Sequence, residues 1–237
     1  MRLDLYLSTE NEMTRSKAKD LIKRGRVSVD GTIIEKPSFD VTDKNIIKII
    51  DEENIYVSRA GNKLEAAILN FDVDLHEKCC LDIGSSTGGF TECLIRYGAR
   101  EVYSVDVGKD QFHESLKDID KIHLFEETDI RDFSKKGLVF DIIVCDVSFI
   151  SIEAIIDDIA KMSKEHTEVI VLIKPQFEVG RKGVSKRGIV LDPAKHLKVI
   201  ENVKNAFDMH GFKFCGIIES PIKGKAGNKE FLARFQI

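Results

Sequence analysis

Three things are scarce in this chain of 237 residues: surplus positive charge, paired cysteines and long apolar runs. Its formal net charge of −4 excludes a generally basic nucleic-acid binder, so any affinity for a polyanion has to come from a local patch. The five cysteines, Cys79, Cys80, Cys93, Cys145 and Cys215, are an odd set without a C-x-x-C pair. Several flank aliphatic runs such as Ile-Ile-Val-Cys145, where a small buried hydrophobe is the expectation, and no metal site is expected. No secretory leader precedes them, which fits a reduced, cytoplasmic compartment. The longest aliphatic run, around Val169 to Ile173, falls far short of the roughly 20 residues that a membrane span requires, so no membrane partner is expected. There is neither a heptad pattern nor an obvious self-pairing segment, and a monomer is expected.

Charge is unevenly distributed. Residues 1–50 hold ten Lys/Arg against eight Asp/Glu, and the remainder holds 26 against 32. In the first fifty residues, Leu3 and Leu7 share a helix face by the i, i+4 rule, as do Ala18, Leu21 and Ile22 in a second helical pattern. Gly25 is placed to end that second helix. Arg26-Val-Ser-Val then alternates as a half-buried strand, and Asp30-Gly31 marks a tight hairpin. Arg15, Lys17, Lys19, Lys23, Arg24 and Arg26 crowd this stretch, opposed only by Asp20. Charge alone would make them a solvated helix face. The pattern R-L-D-x-x-L at Arg2–Leu7, followed by A-x-x-L-I-x-x-G-x-V-x-V-D-G at Ala18–Gly31, resembles the RNA-binding domain shared with ribosomal protein S-four. That resemblance implies a small α+β RNA-binding domain over residues 1–50, with those six cations as RNA contacts.

Residues 51–60 read as a linker, and an α/β rhythm fills 61–237. Leu64, Ala67, Ile68 and Phe71 follow the spacing of an amphipathic helix. Strand-like runs recur at Cys79–Ile83, Glu101–Asp106, Lys121–Phe125, Asp141–Asp146, Glu168–Lys174, Phe212–Glu219 and Phe231–Ile237. Helical stretches separate the earlier ones, which predicts a mostly parallel seven-stranded sheet covered on both faces, with ligands at the C-terminal strand ends. The last two runs have no helix between them and predict an antiparallel hairpin.

The stretch from Cys80 to Phe90 (CLDIGSSTGGF) places a buried strand before a glycine-rich turn and a helix. The glycines stand as G-x-x-x-G-G, which does not match the G-x-G-x-x-G of a dinucleotide site. The turn is similar to motif I of class I (Rossmann-like) methyltransferases, which implies S-adenosyl-L-methionine bound by Asp82, Gly84, Ser85, Ser86, Thr87, Gly88, Gly89 and Phe90. Asp106 ends the next strand about twenty residues on, where a carboxylate can accept both ribose hydroxyls. Asp129, after the third strand, stands where this class commonly binds the adenine amino group.

Two further strands finish on charge that packing does not need. Asp146 follows Ile-Ile-Val-Cys, and Lys174 follows Val-Ile-Val-Leu-Ile and precedes Pro175, which biases its backbone to extended. A structural ion pair is the plain reading of these two. A lysine held in a low-dielectric pocket beside another cation can instead serve as a base. With Lys63 and Glu230 they form a K-D-K-E order. The five segments Val57–Leu64, Leu81–Phe90, Asp146–Ser151, Leu172–Glu178 and Gly227–Leu232 resemble, in order, the TlyA family, whose catalytic domain is similar to the FtsJ/RrmJ-type ribose 2′-O-methyltransferases. Leu191 departs from the family pattern, standing where a basic or polar residue is expected. The resemblance implies methyl transfer to a ribose 2′-hydroxyl of ribosomal RNA, free or in ribosomal subunits. Lys174 would be the base, Asp146 and Glu230 would hold the two lysines, and Lys63 would orient substrate. Two rival readings are a membrane-active haemolysin, a name this family also carries, and a non-catalytic RNA-binding factor in ribosome assembly. A small-molecule methyltransferase is disfavoured by the basic N-terminal module.

Overall fold

The structure is a computed structural model that describes residues 1–237 except 12, 24, 43, 50–55, 181, 182, 186 and 225, and except the side chains at 17 and 20. Arg24 and the side chain of Lys17, two of the expected RNA contacts, therefore lie outside the described residues. The chain divides into two compact units, Met1–Ile55 and Tyr56–Ile237.

The first unit begins with helices α1 (Leu3–Glu10) and α2 (Arg15–Lys23), whose apolar faces supply Leu3, Leu7, Ala18 and Ile22 to one small core. Gly25 takes the left-handed backbone (φ 68°) that ends the second helix, and the Arg26 amide reaches back to the Leu21 carbonyl at 2.9 Å. Strands β1 (Val27–Val29) and β2 (Thr32–Ile33) form the expected hairpin across Asp30 and Gly31, both at positive φ. A third strand that the sequence pattern did not single out, β3 (Ile47–Ile49), pairs antiparallel with the other edge of β1. The turn residue Asp30 fastens it, accepting hydrogen bonds from the Ile46 amide at 2.8 Å and Asn45 Nδ2 at 2.7 Å. Asp4 is wholly buried and accepts from Arg2 Nε at 3.0 Å and Arg15 Nε at 3.1 Å. Burial opposes the charge on Asp4, but the two guanidinium groups outweigh it and hold its pKa below the ordinary value.

In the second unit, helix α3 (Arg59–Phe71) precedes an alternating series. This runs β4 (Cys79–Ile83), α4 (Gly89–Arg96), β5 (Glu101–Val105), α5 (Glu114–Lys117), β6 (Ile122–Phe125), α6 (Ile130–Phe133), β7 (Phe140–Cys145), α7 (Ile156–Lys161) and β8 (Ser163–Ile173). Helices α8 (Pro175–Glu178) and α9 (Pro193–Met209) follow, then β9 (Lys213–Glu219) and β10 (Phe231–Gln236). Among the described residues the sheet has seven strands in the order β6-β5-β4-β7-β8-β10-β9, parallel except where β10 pairs with β8 and β9. This is the expected class I methyltransferase architecture, including the antiparallel last pair. Aliphatic residues of β7 and β8 and the Phe207, Phe212 and Phe235 rings fill the core. Strand β8 starts at Ser163, five residues before the expected start at Glu168, because Ser163 already pairs with Phe140 of β7 ahead of a register shift.

Candidate active site

The strand order reverses at β4, which has β5 on one side and β7 on the other, and a crevice opens at their C-terminal ends. Two adjoining lobes lie there, of about 470 Å³ and about 610 Å³, sharing Gly84, Ser86, Asp146, Ser148 and Phe149 in their walls.

The smaller lobe has apolar walls from Ile83, Val105, Val107, Ile130 and Ile155, with Asp106 and Asp129 among its polar groups. Asp106 follows the last residue of β5. Its Oδ1 accepts from the Gly108 amide at 2.7 Å and its Oδ2 from the Ser86 amide at 2.8 Å, which ties the glycine loop to the β5 end. Asp129 caps α6 and is paired with the Arg131 guanidinium, which is the main reason its carboxyl is held down at about 2. Gly84 has φ 82°, and a Cβ there would lie 2.8 Å from the Asp146 carbonyl oxygen, so only glycine lets this loop cross the end of β7. Size, apolar walls and two carboxylates fit a nucleoside.

The larger lobe holds the four expected catalytic side chains. Asp146 and Lys174 stand one residue beyond the adjacent parallel strands β7 and β8. Glu230 stands one residue before β10, whose Phe231 is in register with Ile173 of β8. Lys63 projects from the first turns of α3. They form two pairs. Lys63 Nζ donates to Glu230 Oε2 at 2.6 Å, with side chains 11% and 3% exposed. Lys174 Nζ lies 2.5 Å from Asp146 Oδ1. That contact lacks hydrogen-bond alignment, and the ammonium donates instead to Ser148 Oγ at 2.8 Å. The extended Lys174 backbone (φ −110°, ψ 96°) leads into Pro175 at the first position of α8, as the sequence predicts.

Of the glycine-loop residues, Gly84, Ser85, Ser86, Thr87 and Phe90 line the crevice. Asp82, Gly88 and Gly89 line neither lobe. Asp82 is wholly buried; Thr91 Oγ1 donates to its Oδ2 at 2.6 Å, and its Oδ1 has no partner among the described residues. Burial pushes its carboxyl up to about 7. Gly88 caps α4 in a left-handed conformation, and Gly89 opens that helix. In the first unit, Arg15, Lys19 and Lys23 recur every four residues and lie exposed on α2, while Arg26 is half-buried. Arg15 is also the ion partner of Asp4.

Sequence reasoning passed over Ser148, Phe149, Gln176 and Phe177. Phe149 is 91% exposed with φ 68°, its ring centroid 5.2 Å from that of Phe177. Gln176 Nε2 reaches Glu230 Oε1 at 3.4 Å. Glu178, in the same short helix, accepts from Ser151 Oγ at 2.6 Å and from the Ile152 amide at 3.0 Å, and burial raises its pKa. An aromatic in a polar loop after a strand-ending Asp was the available signal for Phe149.

A doubly covered, mostly parallel sheet with a glycine loop after β4 and a carboxylate after β5 defines a Rossmann-like methyltransferase. Residues 56–236 match the model of the FtsJ-like methyltransferase family and residues 1–47 that of the S4 domain. The chain belongs to the FtsJ-like methyltransferase family, and within it to the TlyA group. It is 41% identical over 242 residues to Hemolysin A of Brachyspira hyodysenteriae, covering 100% of both chains. It is 37% identical over 250 residues to the 23S rRNA (cytidine-2′-O)-methyltransferase TlyA of Campylobacter jejuni, covering 98% of this chain and 97% of that one. A solved structure described as a hemolysin from Streptococcus thermophilus superposes with a TM-score of 0.74 at 36% identity, covering 100% of this chain and 88% of that one.

Proposed function

We propose that this protein transfers the methyl group of S-adenosylmethionine to a ribose 2′-hydroxyl of ribosomal RNA. The observation that carries the reading is the pair of ion contacts, Lys174 with Asp146 and Lys63 with Glu230, in the lobe that adjoins the nucleoside-sized one. The relative in Campylobacter jejuni is named for 2′-O-methylation of cytidine in 23S rRNA, and the S4-domain match supports RNA as the substrate.

Asp106 would accept the cofactor's ribose hydroxyls and Asp129 would take its adenine amino group, with Val107 and Ile130 supplying apolar wall in the same lobe. The bound cofactor supplies an electrophilic sulfonium methyl. Lys174, as the neutral amine, takes the proton from the 2′-hydroxyl, and Asp146 stabilises the ammonium so formed. Lys63, held by Glu230, donates toward the 2′-oxygen as negative charge develops on it. Phe149 and Phe177 offer faces on which a base can stack. Residues 1–50 capture RNA through the α2 stripe, and the second unit, which begins at Tyr56 and not at the expected residue 61, carries the chemistry.

The decisive experiment is methyl transfer from labelled S-adenosylmethionine to ribosomal subunits and to naked ribosomal RNA. A positioned base contributes about 10²–10⁴ in rate, so Lys174→Ala should lower turnover by that factor, with label confined to ribose 2′-O positions in the wild type. Near-normal turnover of Lys174→Ala would remove the assignment of the base. Cofactor binding without label on any RNA would favour the assembly-factor reading. Among the described residues no helix is long and apolar enough to cross a membrane.

A further inference from the structure

Ser148 stands outside the K-D-K-E set yet touches its reacting group. It borders both lobes, and its Oγ accepts the hydrogen bond from Lys174 Nζ at 2.8 Å. Asp146 lies closer to that nitrogen but without hydrogen-bond alignment, so it supplies charge and leaves rotation about the Cε–Nζ bond free. Direction has to come from Ser148. A neutral amine keeps two N–H bonds and one lone pair, and abstraction of a proton requires the lone pair to be aimed. With one N–H turned to Ser148, the lone pair is confined to the two remaining tetrahedral positions about Nζ.

Ser148 is itself held in place. The next residue, Phe149, has φ 68°, a conformation unfavourable for an aromatic residue that persists only when its surroundings enforce it. Glu178 fastens the same loop two residues further on, its two carboxylate oxygens accepting from the Ser151 hydroxyl and the Ile152 amide. Glu178 ends α8, the four-residue helix that starts directly after Lys174. The base and the loop that aims it are thus cross-tied by one half-buried carboxylate.

We propose that Ser148 is a positioning residue that aims the Lys174 amine at the substrate hydroxyl, and that Glu178 acts through it by fixing the 146–151 loop. This rests on the reading of Lys174 as the base. The test compares Ser148→Ala, Ser148→Thr, Glu178→Gln, the Ser148→Ala/Glu178→Gln double variant and Lys174→Ala of the full chain. Each is assayed in single-turnover methyl transfer at saturating S-adenosylmethionine and ribosomal RNA. Misaiming a reacting group by about 1 Å costs roughly 10²-fold, so Ser148→Ala should lower the transfer rate by about 10–100-fold while KM for RNA and cofactor affinity stay within about twofold. Ser148→Thr, which restores the hydroxyl, should recover most of the rate. Glu178→Gln should lose less than Ser148→Ala, and the double variant should be no slower than Ser148→Ala alone. A wild-type rate in Ser148→Ala beside an inactive Lys174→Ala would overturn this inference and leave the base reading intact. An active Lys174→Ala would remove the base reading itself. Failure of Ser148→Thr to recover the rate would overturn the role of the hydroxyl, and multiplicative losses in the double variant would overturn the route through Glu178.

Discussion

Replacing Lys63 by methionine should separate the stability of the site from its chemistry. The substitution keeps most of the buried stem and deletes the ammonium that sits 2.6 Å from Glu230 Oε2. Glu230, 3% exposed, is left as a buried carboxylate whose remaining side-chain donor among the described residues is Gln176 Nε2 at the long distance of 3.4 Å. Breaking one side of a buried pair costs about 3–5 kcal/mol, since the surviving charge stays desolvated without its partner. For a unit of this size each kcal/mol moves the melting temperature by about 2–4 °C, so Lys63→Met should melt roughly 6–20 °C lower. Glu230→Gln should be milder, because the orphaned ammonium, 11% exposed on a flexible stem, can turn toward water. The double variant Lys63→Met/Glu230→Gln carries no orphaned charge and should recover most of the lost stability while remaining inactive. Differential scanning calorimetry of the three proteins beside the wild type, with methyl transfer measured on the same samples, reads both quantities. Added salt should not restore Lys63→Met, because screening hardly reaches a buried charge. A Lys63→Met melt within about 2 °C of wild type, or a double variant as unstable as the single, would refute the reasoning.

Three other expectations concern the RNA stripe, the buried acid and the glycine loop. Neutralising Lys19 and Lys23 together should weaken RNA binding and reduce the slope of log K against log salt by about 0.7–0.9 for each phosphate that is no longer neutralised. Cofactor affinity should be unaffected, and an unchanged slope would take these residues off the RNA. Asp82 has a folded pKa near 7 against an unfolded value of 3.8, so its contribution to stability is complete below pH 4 and is lost as pH rises to 7. Asp82→Asn does not titrate, so denaturant melts should show its stability relative to wild type improving between pH 4 and pH 7 by on the order of a few kcal/mol; a difference that is flat with pH would contradict the raised pKa. Gly84→Ala meets both a left-handed backbone and the Asp146 carbonyl, and should lose about 1–3 kcal/mol of cofactor binding in calorimetry, whereas unchanged binding would show that the loop can yield.

Much of the fold is legible in the chain because its signals are local. Aliphatic runs of strand length, an amphipathic helix ahead of them and a glycine loop after the first run give the alternation directly. What stays hidden depends on pairing across long separations. Lys63 and Glu230 are 167 residues apart in sequence, and no spacing connects them; only their resemblance to a known set does. Strand β3 is three residues long and owes its place to Asp30 reaching Asn45 and Ile46, an arrangement with no periodic signature. Ser148 and Phe149 lie in a loop where helix and strand periods carry no information.

The charged residues near the strand ends show where local reading runs out and why. Asp106, Asp146 and Lys174 each stand one residue past the last paired residue of their strands, and all three reach the crevice. Asp82 looks equivalent in the sequence, since it too follows aliphatic residues just before a glycine loop. It lies inside β4, however, one residue before the end, and strand side chains alternate between faces. Leu81 and Ile83 point into the main core, so Asp82 points the other way, beneath α4, where Thr91, itself hydrogen-bonded to Ser104, donates to it. A shift of one residue along a strand therefore separates a carboxylate that can meet a ligand from one that can act only through the loop above it. By that geometry Asp82→Asn should alter cofactor binding less than Asp106→Asn, although Asp82 belongs to the more recognisable motif.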